Sequence, residues 1–189
     1  MTQTLILASS SPRRQELLRE AGIPFEVSPA HIAEEPRPGE TPLEYALRLA
    51  REKAEAVAAR FPRRYVLGAD TIVVVDNQVL EKPHDREDAA RMLRLLSGRG
   101  HEVTTAVGLV APDGHMDARA CTTQVHFRKL GEEEIQQYVA TDEPMDKAGA
   151  YAIQGGAALW TSRMEGDYSN VVGLPLSLVT EMLLTSGFQ

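Results

Sequence analysis

The chain has 189 residues, 43% hydrophobic and 25% charged, an ordinary balance for a globular protein and unlike a disordered, collagen-like or coiled-coil chain. A net charge of −7 speaks against a general nucleic-acid binder, and a single cysteine, Cys121, excludes an internal disulfide framework and a cysteine-based zinc site. No apolar run approaches the ~20 residues of a membrane span, and residues 5–8 are too short for a secretory signal core, so a cytoplasmic protein with no membrane partner is expected.

Residues 4–8 predict a short buried strand. Ser11-Pro12 predicts the N-cap and first position of a helix, and Gly22 its stop. Residues 29–40 are rich in Pro and Gly and predict a surface loop. Thr41 and Glu44 form a capping-box pattern. The helix it opens carries Leu43, Ala46, Leu47, Ala50, Ala54, Val57 and Ala58 at helical spacing and ends before Phe61-Pro62. Residues 65–76 predict a strand, with a turn at Asp76-Asn77 into Val79-Leu80. Asp85 predicts the cap of a helix running to Leu96, stopped by Ser97-Gly98. Residues 102–111 and 120–127 flank Pro112-Asp113-Gly114 and predict antiparallel strands. A helix over 132–140, a strand over 157–164, a turn at 165–167 and a helix over 175–184 complete the chain. Several hairpins among helices predict a mixed α/β protein rather than an all-parallel doubly wound sheet.

Two segments carry the strongest chemical signals. In Ser9-Ser10-Ser11-Pro12-Arg13-Arg14 a strand gives way to a helix with two arginines in its first turn. Free N–H groups at a helix start bind anions, and cations there oppose the helix dipole unless an anion lies between. The plainer reading is a capped helix with solvated arginines. In Val66–Val75 one carboxylate, Asp70, interrupts an apolar strand. Its burial needs a metal ion, a phosphate-bound metal or a nearby lysine, or else a plain structural ion pair. Lys53, Lys82 and the small-residue segment around Gln154 are weaker signals taken singly. The five histidines show no metal-ligand spacing.

Together these segments resemble the Maf family of nucleoside triphosphate pyrophosphatases. The likeness runs through LASSSPRRQELL, REKA, GADTIVVVD, LEKP, LSGRGHEVTTAVGL, DKAGAYAIQG and NVVGLPL, in that order. It implies a single domain over 1–189 with two lobes and no linker. The implied fold has an elongated twisted mixed sheet with flanking helices, and a cleft between the lobes, like inosine triphosphate pyrophosphatases. It implies metal-dependent hydrolysis (Mg2+ or Mn2+) of a nucleoside triphosphate to the monophosphate and pyrophosphate. The Ser-Pro-Arg-Arg, Ala-Asp-Thr and Ile-Gln-Gly segments resemble the dTTP/UTP branch; the 7-methyl-GTP branch has Trp, Gln and Glu at positions 13, 71 and 154.

By this resemblance Asp70 is the general base and Lys53, Lys82 and Glu34 act with it. Glu34 and Asp70 hold the metal. Ser9, Ser11, Arg13, Arg14, Thr71 and Gln154 bind substrate, with Arg13, Thr71 and Gln154 setting specificity. A glutamine amide complements the N3–H and carbonyl of uracil or thymine, provided neighbours fix its orientation. One departure is plain: the family's acidic pair is Ala33-Glu34 here, with Glu35 as a substitute. The resemblance also brings a homodimer, a role with modified nucleotides, and an alternative function in septum formation by protein interaction.

Overall fold

The computed structural model describes residues 3–189. β1 (Leu5–Leu7) is fully buried and leads to α1 (Pro12–Glu20). Ser11 caps α1, and Leu17 and Leu18 are its buried residues. β2 (Phe25–Val27) follows, then α2 (Pro42–Ala58). The predicted capping box starts α2: the Thr41 hydroxyl accepts from the Glu44 N–H, and the Glu44 carboxylate accepts from the Thr41 N–H at 2.8 Å. β3 (Val66–Val75), β4 (Gln78–Leu80) and α3 (Arg86–Leu96) come next. Asp76 and Asn77 both adopt positive φ, as a two-residue hairpin of this kind requires, and join β3 to β4. β5 (Gly100–Val110), β6 (Met116–Phe127), α4 (Glu132–Val139), β7 (Thr161–Glu165), α5 (Tyr168–Val172) and α6 (Leu176–Thr185) complete the order.

The seven strands form one mixed sheet in the order β2-β1-β3-β5-β6-β7, with β4 paired to β3 off that path. β1 is parallel to β2 and β3, whereas β3–β4 and β6–β7 are antiparallel. The mixed α/β class read from the hairpins is thus the observed one. One local expectation needs correction, and two short elements are additional to the predicted ones. The strand predicted over 157–164 is a 3-10 segment at Gly156–Trp160 followed by β7. Trp160 is drawn inward, its indole donating to Glu134 at 2.7 Å, and this turns the backbone away from extended form. β2 is only three residues long and partly exposed, too short for alternation to mark it in the sequence. α5, only five residues long, lies between the predicted turn at 165–167 and the predicted last helix.

The chain divides into two compact units. The first comprises the residues up to Thr71, then 105–121 and 173–189. There, α2 lies against β3 and β5 at unusually short range. A Cβ on Gly68 would stand 2.4 Å from the Ala50 carbonyl oxygen, and one on Gly108 would stand 2.8 Å from it. Glycines in these two strands and alanines on the helix make that approach sterically open. Ile6, Ala8, Ala54, Val57, Val66 and Val110 fill the surrounding core.

The second unit comprises 72–104 and 122–172. Phe127 sits among His101, Tyr151 and Trp160 in edge-on ring contacts of 4.8–5.9 Å. His101 bonds through Nε2 to the Tyr151 hydroxyl at 2.7 Å, while its Nδ1 is buried without a partner. Burial, reinforced by nearby His126, holds the His101 pKa down to about 4 from an ordinary 6.5.

Two outcomes follow. Gly68→Ala or Gly108→Ala should cost about 1–3 kcal/mol by overpacking. Gly131→Ser, in open space at negative φ, should cost under about 0.5 kcal/mol in urea unfolding. Between pH 6.5 and about 4 the unfolded chain takes up a proton at His101 that the folded chain refuses. Stability should therefore fall as pH drops through that window, by about 3 kcal/mol from this group. His101→Gln should flatten the acid limb of the stability profile; an unchanged limb would show that other groups set it.

Candidate active site

In the first unit β3 presents two sets of side chains on opposite faces, as pleated backbone must. Gly68 and Asp70 face α2. The close approach at Gly68 brings Lys53 within 2.8 Å of an Asp70 carboxylate oxygen. The Asp70 side chain is 9% exposed and that of Lys53 11%, so this is a nearly buried ion pair. Lys53 is the nearby lysine that the sequence called for beside Asp70. The same Lys53 Nζ lies 3.2 Å from a Glu34 carboxylate oxygen, but Glu34 is 54% exposed and that contact is the weaker one.

The loop bearing Glu34 is held by α2. The Tyr45 hydroxyl donates to the Glu34 carbonyl at 3.1 Å, and Arg48 donates to the Glu35 carbonyl at 2.9 Å. Arg48 also grips the Glu40 carboxylate, and this bond holds the Glu40 pKa down to about 2. One helix thus carries the ammonium and fixes the loop of the second carboxylate. Ala33, at the departure from the family pattern, is exposed beside Glu34, and Glu35 contributes its carbonyl to the clamp.

Thr71 faces the other way, toward α1. Arg14 donates to the Thr71 hydroxyl at 3.0 Å, to the Ser9 hydroxyl at 3.1 Å and to the Gly173 carbonyl at 2.8 Å. Three of its five N–H groups are therefore spent on the protein. Burial lowers the Arg14 pKa, opposed by the Asp70 carboxylate. Thr71 exchanges a second bond with the buried Thr105 hydroxyl at 2.8 Å. Ser11 acts as helix cap, accepting from the Arg14 N–H at 3.5 Å. Arg13 is half-buried and has no hydrogen bond or ion pair to the protein among the described residues. The two arginines of the first turn thus differ: Arg14 is built in, and Arg13 is open to an anion.

The remaining candidates belong to the second unit. Lys82 is exposed just after β4, before buried Pro83, and the Glu81 carbonyl beside it accepts from the Gly149 N–H at 3.2 Å. Gln154 is exposed on the loop before Trp160, and no protein group among the described residues bonds its amide. Sequence reasoning missed Thr105, Tyr45 and Arg48. Gly68 and Gly108, isolated glycines inside strand-forming runs, are the signal that a backbone comes close.

Among the described residues no three His, Cys, Asp or Glu side chains converge as a metal cage. Glu34 and Asp70 supply two carboxylates directed at one ammonium. Mg2+ is commonly bound by one or two carboxylates together with substrate phosphates and water, and this donor set fits that mode.

Removing one partner of the buried pair should be costly. Lys53→Met should lose about 3–5 kcal/mol by stranding the Asp70 carboxylate, and Lys53→Met with Asp70→Leu should recover part of the loss. Urea unfolding of the two variants and the parent checks this. An additive double variant would mean that the pair contributes no coupling.

The family model for Maf-like proteins matches residues 4–186. A dTTP/UTP pyrophosphatase of Koribacter versatilis is 56% identical over 183 residues, spanning 97% of this chain and 94% of that protein. A dTTP/UTP pyrophosphatase of Geobacter metallireducens is 55% identical over 185 residues, spanning 97% and 96%. Among solved structures, the Ham1 protein of Staphylococcus aureus superposes with a TM-score of 0.52 at 14% identity, over 97% of this chain and 99% of that one. A HAM1 protein from Coxiella burnetii gives 0.51 at 17% identity, over 97% and 100%. At these identities the structural likeness bears on fold alone, and it is the Ham1 fold that this chain shares. A family match over nearly the whole length, with relatives more than half identical, means that the chain belongs to the Maf family.

Proposed function

We propose that this protein is a nucleotide pyrophosphatase that hydrolyses dTTP and UTP to the monophosphate and pyrophosphate. The observation that carries this reading is the Lys53–Asp70 pair, with Glu34 on the same ammonium, in a chain over half identical to relatives named for that activity. Ser9, Arg13, Arg14, Lys53, Asp70 and Thr71 all fall within the motifs that resemble the family.

Water attacks the α-phosphorus in line, and pyrophosphate leaves. Such chemistry rests on positioning and charge neutralisation more than on covalent catalysis. Asp70 orients the water and takes its proton, while Lys53 keeps the carboxylate in one place. Arg13, with its guanidinium uncommitted, grips phosphate oxygens with a planar fork. Arg14 supports that turn from behind through Ser9 and Thr71. Lys82 adds positive charge for the leaving pyrophosphate, and Gln154 reads the pyrimidine edge. Glu34 and Asp70 would hold a divalent cation, Mg2+ or Mn2+, which when bound would neutralise phosphate charge and lower the pKa of coordinated water.

Pyrophosphate release should be measured with UTP, dTTP, CTP, ATP, GTP and 7-methyl-GTP, with Mg2+ or Mn2+ and with chelator. The expected outcome is cation-dependent release, chiefly from UTP and dTTP. Release chiefly from another nucleotide would overturn the roles of Arg13, Thr71 and Gln154. Asp70→Asn should lower kcat by ~100-fold or more, the general-base range. A folded variant with near-normal turnover would remove Asp70 from that role.

A further inference from the structure

The loop that presents Gln154 is gripped from below by two side chains of the second unit. The Glu143 carboxylate accepts from the Gly156 N–H at 3.1 Å. It also fills the space where a side chain on Gly155 would begin: a Cβ there would stand 2.1 Å from Glu143 Oε1 and 2.5 Å from its Cδ. Gly155 has φ −103°, so its lack of a Cβ serves room for the carboxylate and not a left-handed backbone. On the near side of the loop, the Tyr138 hydroxyl accepts from the Ala152 N–H at 3.0 Å. The Tyr138 ring lies where a side chain on Gly156 would go, 2.9 Å from that Cβ. Glu143 itself is anchored, its carbonyl accepting from Lys147 Nζ at 2.8 Å.

These contacts bracket residue 154 within two residues on each side, yet the Gln154 amide has no protein partner of its own among the described residues. A glutamine amide offers a donor and an acceptor side by side, and how well that pair meets the uracil edge depends on where the backbone beneath it is held.

We propose that Glu143 is a positioning residue for base selection, acting through the Gly155-Gly156 backbone on Gln154. This rests on Gln154 reading the pyrimidine. Glu143→Gln keeps an acceptor oxygen for the Gly156 N–H. Glu143→Ala removes it, and Gly155→Ala displaces the carboxylate while leaving Glu143 in the chain.

The test is kcat/KM for UTP and for CTP in the parent, Glu143→Ala, Glu143→Gln, Gly155→Ala and Gln154→Glu, each checked for an intact cooperative thermal transition. The UTP-over-CTP preference should fall ~10-fold in Glu143→Ala and Gly155→Ala, with KM for UTP carrying most of the change, and Glu143→Gln should keep it within ~2-fold of the parent. If Gln154→Glu alters the preference and Glu143→Ala and Gly155→Ala do not, the inference about Glu143 fails and base reading by Gln154 stands. If Gln154→Glu also leaves the preference unmoved, base reading fails and the inference goes with it. A uniform loss for both nucleotides in Glu143→Ala, or no rescue in Glu143→Gln, would mark Glu143 as merely structural. Should Glu143→Ala lose its cooperative transition, Gly155→Ala and Glu143→Gln decide the matter by the same ratio.

Discussion

The close seating of α2 on β3 and β5 is the constraint on which the rest of the first unit depends. Gly68 and Gly108 have no side chains, and Ala50 and Ala54 have small ones, so helix backbone meets sheet backbone directly. At an ordinary helix–sheet spacing a lysine at position 53 would have to reach farther into the core to meet Asp70. Here the ammonium meets a carboxylate that its strand neighbours bury. A buried ion pair is favourable only when its geometry is well made, and the two glycines supply that geometry. The same helix face then fixes the loop carrying Glu34 through Tyr45 and Arg48.

Neighbouring positions on β3 serve different ends because the strand alternates. Asp70 faces α2 and its lysine. Thr71 faces α1 and is tied into a network of Ser9, Arg14, Thr105 and the Gly173 carbonyl. An arginine with three donors committed to the protein is a rigid support. Its neighbour Arg13, uncommitted, retains the fork that phosphate recognition needs. The two arginines of the dipeptide thus differ in setting, one turning inward and one left open by the geometry of the first helical turn.

The second unit shows the same principle of small residues making room for a close contact. Gly149 lies against Val73, Gly155 against Glu143 and Gly156 against Tyr138. In the DKAGAYAIQGG stretch, Gly155 and Gly156 thus let side chains from the 3-10 turn Glu143–Asp146 and from α4 press on the loop backbone, and Gly149 makes room for β3. That packing also explains why the strand predicted over 157–164 begins only at Thr161: Gly155-Gly156 and inward-drawn Trp160 curl the chain before β7.

Much of this was legible in the residues. Pro12 after Ser11, the Thr41–Glu44 box and Asp85 mark helix starts because capping is local chemistry, settled within four residues. Asp76-Asn77 marks a hairpin because few residues accept positive φ. Asp70 announced the need for a partner because a lone carboxylate among β-branched residues has no inexpensive solvation. What the sequence could not settle was every choice that depends on residues far apart in the chain. That Lys53 is the lysine that reaches Asp70, that Arg14 is built in while Arg13 stays open, and that Glu143 lies beneath Gly155 all follow from how α2, α1 and the 3-10 turn Glu143–Asp146 pack. Capping and turn geometry act through bonds within a few residues, so they are written locally. Which donor meets which acceptor across 17, 57 or 13 residues is set by steric fit between elements, and only the tertiary structure decides that.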